Sequence, residues 1–183
     1  DTVLVIGAGP IGLSAMQFVR LTGARLIVMD MVQSRLDFVQ NIYSLTDTVC
    51  ADGTETDLNK VKEMTGNELC DVVIDATGSD RSMNRSLEFC AFGGRVVYVG
   101  ITQGELSFPH APLLHRRELS ILGSRNALSQ DFDRIVKDIE ANRIDTAPWI
   151  THRMSWTELP EIFPQLVDPS SGVLKAVATI ESV

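Results

Sequence analysis

The run Gly7-Ala8-Gly9-Pro10-Ile11-Gly12 constrains this chain more than any other stretch, because both of its flanks point the same way. Before it, Thr2–Ile6 is short, apolar and rich in β-branched residues, the pattern of a buried strand. After it, Ile11, Ala15, Met16 and Val19 fall near one face of a helix that ends at Gly23. In a strand–turn–helix of this kind Gly7 suits the tight turn, Gly9 lets a pyrophosphate approach the backbone, and Gly12 lets the helix pack close to the strand. Pro10 fits the first helical turn, where its missing N–H costs nothing. The unpaired N–H groups and the positive end of the helix dipole then face the phosphates, with Ile11 inside that turn.

The next apolar run, Ala24–Met29, stops at Asp30, 18 positions after Gly12. A carboxylate there accepts hydrogen bonds from the hydroxyls of an adenosine ribose and repels a 2′-phosphate, which favours NAD over NADP. Arg35 works in the opposite sense, since a nearby cation supports a 2′-phosphate. Two other readings share these residues. In one, the glycines only make a turn and Asp30 caps the following helix. In the other, the chain is an S-adenosylmethionine-dependent methyltransferase, which also uses strand, glycines, helix and acid. That class usually carries an acid just before a smaller glycine cluster, whereas Val5 and Ile6 stand there.

The rest of the chain repeats the alternation. Further strands are expected over Asp47–Ala51, over Asp71–Ile74 opening into Asp75-Ala76-Thr77-Gly78, over Arg95–Val99 after a Gly93-Gly94 turn, and over Glu118–Leu122. Helices are expected over Ser34–Tyr43, within Thr54–Thr65, over Arg81–Cys90 and over Asp131–Asn142. Apolar strands without clean alternation, separated by helices, predict a parallel sheet covered on both faces. With right-handed crossovers this is an α/β, doubly wound fold of six strands. Its expected extent is residues 1–147. A tail follows over 148–183, with an extended piece Ile150–Met154, a Pro-broken helical piece Trp156–Val167, a turn Asp168–Gly172 and an apolar strand Val173–Ile180.

Composition narrows the partners. With 24 acidic against 16 basic residues the net charge is −8, which disfavours nucleic acid or an anionic membrane. No apolar run reaches the roughly 18 residues of a membrane helix, and no signal peptide opens the chain. Cys50, Cys70 and Cys90 are odd in number and scattered, so they read as free thiols in a reducing compartment, the cytoplasm. The chain opens on Asp1 with no Met, directly before a strand, and is expected to be a piece of a longer protein cut in a linker or helix.

Hydride transfer needs a group that polarises the substrate oxygen, and three routes are testable. A Tyr-x-x-x-Lys pair is missing: Tyr43 is followed by Asp47 and Tyr98 by Thr102. His152-Arg153 has no acid placed by motif and reads as a structural or surface histidine. For zinc, the cysteines form no C-x-x-C, and His110, His115 and Glu118 make only a loose cluster, better read as surface. The residues suit binding a cofactor and leave substrate activation unassigned.

Taken in order, these motifs resemble the zinc-type medium-chain alcohol and polyol dehydrogenases. The resemblance rests on Val3–Leu13, Asp30, Asp75–Gly78, Gly93–Gly100, Glu118–Ser124 and Ile150–Arg153, and spans essentially the whole chain. Within the family it looks most like the sorbitol, threonine and sugar-acid dehydrogenases. The resemblance implies that Ala76, Thr77 and Gly78 border the cofactor, that Val99, Gly100, Ile101, Ser124 and Asn126 line the nicotinamide side, and that Lys175 reaches the pyrophosphate. The plainer roles are a helix cap for Thr77, a turn for Ser124 and a solvated charge for Lys175. It also implies that catalytic zinc, proton relay and often a four-cysteine site belong to an N-terminal domain outside this chain. The tail would pack on that domain, and without it the strand Val173–Ile180 would lose its neighbours. The parent is then expected to oxidise a secondary alcohol of a polyol, sugar acid or hydroxy amino acid with NAD and zinc, the fragment alone being inactive. A non-enzymatic NAD-sensing module is the other class. Relatives often pair through the edge near the sixth strand, so the resemblance makes Arg117–Leu122 a candidate homodimer edge, the plainer role being an ordinary strand.

Overall fold

Six strands make one parallel sheet, with the mostly buried β1 (Thr2–Ile6), β2 (Arg25–Asp30) and β4 (Cys70–Asp75) inside it and the more exposed β3 (Thr48–Cys50), β5 (Cys90–Tyr98) and β6 (Ser120–Gly123) toward its edges. In the computed structural model, which describes residues 1–168 and 171–180, their order is β3-β2-β1-β4-β5-β6. This is the expected six-stranded, doubly wound Rossmann sheet. The chain leaves β1 to build one half of the sheet and returns beside it with β4 to build the other. The crevice at that reversal, at the carboxyl ends of the strands, is where such sheets bind ligands.

Helices cover both faces. α1 (Pro10–Leu21) and α2 (Gln33–Tyr43) turn Leu13, Met16, Leu36 and Val39 inward, all 1% exposed or less. α3 (Glu55–Met64) contributes Val61 to a cluster with Leu4, Ile27, Val49 and Val73. Burying a side chain of this size stabilises the fold by about 1.5–3 kcal/mol.

The stretch expected as one helix over Arg81–Cys90 is divided. α4 (Asp80–Arg85) gives way to a 3₁₀ turn over Ser86–Phe89, and Cys90 already belongs to β5, opposite Cys70. The Gly93-Gly94 pair does not end a turn before the strand; β5 runs through it with a register shift. A side chain at Gly94 would press on the carbonyls of Ala91 and Asp71, at 2.9 and 3.1 Å, so only glycine lets the strands stay paired there.

The chain divides into two compact units, Asp1–Ala127 and Leu128–Val183. The second holds α5 (Ser129–Glu140), β7 (Ile150–Ser155), α6 (Leu159–Leu166) and β8 (Lys175–Thr179). β8 pairs with β7 in a two-stranded parallel sheet, so it has a neighbour within its own unit. α6 keeps Pro164 inside it, with Pro160 in its first turn, where the expectation was a broken segment. Pro169 and Ser170, in the expected turn, lie outside the described residues, as do 181–183.

All three cysteines are free thiols. Burial, the largest cause, pushes Cys70 and Cys90 up from 9.0 to about 12. The folded chain therefore keeps both neutral where the unfolded chain ionises them. Their contribution to stability is complete below pH 9 and is lost as the pH climbs toward 12. At pH 8 a thiol-specific chromogenic reagent should titrate the half-buried Cys50 alone, and all three cysteines after unfolding. Three fast-reacting thiols in the native protein would contradict the burial of β4 and β5.

Candidate cofactor site

β1 and β2 end level. Ile6 pairs with Met29, so Gly7 leaves the sheet beside Asp30, the last residue of β2. The Gly7 N–H donates to the Met29 carbonyl at 2.8 Å, and the turn that follows needs φ +100° at Gly7, a conformation that L side chains rarely adopt. The other two glycines act through space rather than angle. A methyl placed on Gly12 would overlap the Gly7 carbonyl oxygen, so α1 touches the turn that precedes it. Gly9 has an ordinary φ of −78°, and a methyl on it would meet nothing within 4 Å. Its missing side chain leaves the backbone open to the cleft.

The first helical bond of α1 runs from the Leu13 N–H to the Gly9 carbonyl at 2.9 Å. The N–H groups of Ile11 and Gly12 come before it, no side chain caps this end, and the first turn holds no acid. Nothing on the helix competes with an anion for those donors.

Asp30 is 7% exposed. Its Oδ2 accepts the Ala8 N–H at 2.6 Å and its Oδ1 the Val32 N–H at 2.8 Å, while Arg35 Nη1 stands 3.8 Å from Oδ2. A carboxylate offers about four acceptor positions, so two backbone donors leave room for further ones. The acid thus braces the glycine turn and keeps capacity for a ligand's hydroxyls.

Asp75, fully buried, shapes the exit of β4. Oδ1 accepts the Thr77 N–H and hydroxyl at 2.9 and 2.7 Å, and Oδ2 the Ser82 hydroxyl at 2.7 Å. Its carbonyl takes the N–H groups of Val99 and Gly100, at 2.9 and 3.0 Å. The exit of β5 is thereby drawn against β4. A side chain at Gly100 would come within 2.5 Å of the Gly78 nitrogen, and one at Gly78 within 2.9 Å of the Ile101 carbonyl oxygen.

A cleft of about 470 Å³ opens over these strand ends, within the ordinary range for small-molecule sites. Of the residues singled out from sequence, Gly7, Gly9, Pro10, Asp30, Arg35, Ala76 and Thr77 line it. Ile11 and Gly12 sit in the first turn of α1. Gly78, Gly100 and Ile101 gather just beyond Thr77, with Val99 between β5 and Gly100. Ser124 donates its N–H to the Tyr98 carbonyl at 2.9 Å, and Asn126 follows with φ +56°. Lys175 opens β8 in the second unit, paired with Ile150.

The far wall escaped the sequence reading. It is made by Ala51 and Gly53 after β3 and by Arg81 and Arg85 on α4. Asp57, 1% exposed, accepts the N–H groups of Asp52 and Gly53 at 3.0 and 2.9 Å and Arg85 Nη1 at 3.2 Å. Arg85 Nη2 also donates to the Thr54 carbonyl at 2.7 Å. The available signals were the Asp52-Gly53 turn pair at the end of a strand and two arginines at i, i+4 after Asp75–Gly78. Among the described residues, no group of three or more His, Cys, Asp or Glu is placed to hold a metal ion. Nor is any helix there long and apolar enough to cross a membrane.

A doubly wound parallel sheet with a glycine turn, a bare helix N-terminus and an acid at the end of β2 defines a Rossmann-type domain. This chain belongs to the zinc-binding dehydrogenase family, which it matches over residues 10–141. It is 33% identical to the L-galactonate-5-dehydrogenase of Escherichia coli K12 over 98% of its own length and 52% of that protein's. It is 31% identical to the L-arabinitol 4-dehydrogenase of Hypocrea jecorina, over 97% of this chain and 48% of that one. The chain thus spans about half the length of the curated relatives it matches. Among solved structures, the alcohol dehydrogenase TADH from Thermus sp. ATN1 superposes with a TM-score of 0.86 at 26% identity, covering 99% of this chain and 51% of that one. An E. coli CFT073 protein described as a short chain alcohol dehydrogenase complexed with NADH shares the fold, with a TM-score of 0.85 at 22% identity over 98% of this chain and 52% of that one.

Proposed function

We propose that this chain is the NAD-holding half of a zinc-type dehydrogenase that oxidises a secondary alcohol of a polyol, sugar acid or hydroxy amino acid. The observation that carries the reading is the open backbone at Gly9, set between the bare N-terminus of α1 and an Asp30 with spare acceptor capacity. In this reading the glycine turn and the first N–H groups of α1 hold the pyrophosphate. Asp30 holds the adenosine ribose and excludes a 2′-phosphate, and Arg35 partly offsets its charge. Thr77 and Gly78 border the cofactor where β4 ends. Val99, Gly100, Ile101, Ser124 and Asn126 orient the nicotinamide. What NAD supplies when bound is a hydride acceptor; what zinc supplies, from the part of the parent outside this chain, is Lewis acidity at the substrate oxygen.

The activities after which the relatives are named, on a sugar acid and a polyol, support the substrate class. The NADH bound by a protein of the same fold supports the cofactor. The tail from residue 148 packs, in this proposal, on the parent's catalytic half, which suits the exposure of Trp156, Phe163 and Val167. β6 is the last strand of its sheet, with Ile121 and Leu122 36% and 47% exposed. We assign that edge, over Arg117–Leu122, to a homodimer of the parent.

An assay of NAD reduction against a panel of polyols and sugar acids separates chain from parent. The isolated chain should give no alcohol-dependent NADH, and the full-length parent should give it in a chelator-sensitive manner. Turnover by the isolated chain would overturn the division of labour proposed here.

A further inference from the structure

We propose that Arg81 is a specificity-determining residue of the cleft, its guanidinium forming a flat wall on which the cofactor's adenine stacks. The proposal rests on the reading of the cleft as a dinucleotide site. If the pyrophosphate lies over Gly9 and the ribose at Asp30, the base continues away from the glycine turn. That continuation is the part of the cleft lined by Val32, Ala51, Gly53 and Arg81.

The three arginines of the cleft are committed differently. Arg35 faces Asp30. Arg85 is held by Asp57, Glu88 and the Thr54 carbonyl. Arg81 forms no ion pair among the described residues; one nitrogen, Nη2, donates to the Gly53 carbonyl at 2.8 Å. This single neutral acceptor ties the side chain across the cleft, from α4 to the loop after β3, and leaves it without a direct carboxylate partner among the described residues. Gly53 permits the arrangement, since a methyl there would lie 2.7 Å from Nη2 and 2.9 Å from Cζ. The guanidinium therefore rests directly on the Gly53 backbone. A planar cation that is pre-positioned and unpaired suits the face of a purine, and costs little further ordering when the base arrives.

The test is calorimetric titration of the wild-type chain, Arg81→Ala and Arg81→Lys with ADP-ribose and with NADPH, each variant first checked for an unchanged melting curve. Arg81→Ala should weaken ADP-ribose about tenfold, and Arg81→Lys should recover less than half of that loss, because an ammonium has no face to stack. Wild-type affinity in Arg81→Ala, or full rescue by lysine, overturns the stacking role. So does a loss seen with NADPH alone, which makes Arg81 a phosphate ligand. Failure of the wild-type chain to bind ADP-ribose at all would instead remove the dinucleotide reading, and this assignment with it.

Discussion

Gly9→Val should lower the affinity of the chain for NADH by about a hundredfold or more while leaving it folded. The backbone at Gly9 sits at φ −78°, ψ −179°, which valine adopts readily, and the space its side chain would enter holds no protein atom within 4 Å. Folding loses only the preference for a small residue at a helix N-cap, about 1 kcal/mol, equivalent to a few degrees in Tm. Binding loses the approach of the pyrophosphate to the N–H groups of α1. Two charge-assisted hydrogen bonds at about 1.5–3 kcal/mol each account for the hundredfold estimate. Fluorescence titration with NADH beside a melting curve reads both quantities. A variant that binds normally would show that no phosphate comes near Gly9.

Gly12→Ala should have the opposite profile, with stability lost first and binding lost as a consequence. A methyl there overlaps the carbonyl oxygen of Gly7, a backbone atom with no rotamer to yield. Either α1 lifts from the sheet, loosening Leu13 and Met16, or the glycine turn opens and strips Asp30 of its bond from Ala8. Each route costs on the order of 3 kcal/mol. That is a large share of the roughly 5–15 kcal/mol that holds a domain together. Urea denaturation should show a clear drop in midpoint, and a midpoint equal to wild type would mean that helix and turn do not touch. Two glycines three residues apart thus respond oppositely to added bulk, because one faces the cleft and the other faces backbone.

The near side of the site was legible because it is local. Strand, turn and helix are contiguous from Thr2 to Leu21, and parallel pairing of Ile6 with Met29 then places Asp30 beside the turn without further information. The far wall was not legible. Arg81 and Gly53 lie 28 residues apart and meet only because β3 and β4 end on the same side of the sheet. Periodicity also misled where tertiary pairing overrode it. The helical pattern over Arg81–Cys90 stops at Arg85 because Cys90 is needed opposite Cys70. The Gly93-Gly94 pair reads locally as a turn, yet it serves a strand whose neighbours crowd out any side chain. In the tail, a pattern of apolar residues cannot say which strand pairs with which, and β7 with β8 is settled only by the folded chain.

The claim on which the rest depends is that the Gly7–Gly12 turn and Asp30 together grip a dinucleotide that lacks a 2′-phosphate. Titration calorimetry of the isolated chain with NADH, NADPH and S-adenosylmethionine tests it most directly. The expected result is one NADH per chain, bound at least about tenfold more tightly than NADPH because the Asp30 carboxylate disfavours the extra phosphate, with no heat from S-adenosylmethionine. Saturable binding of S-adenosylmethionine, or no binding of NADH, would contradict it.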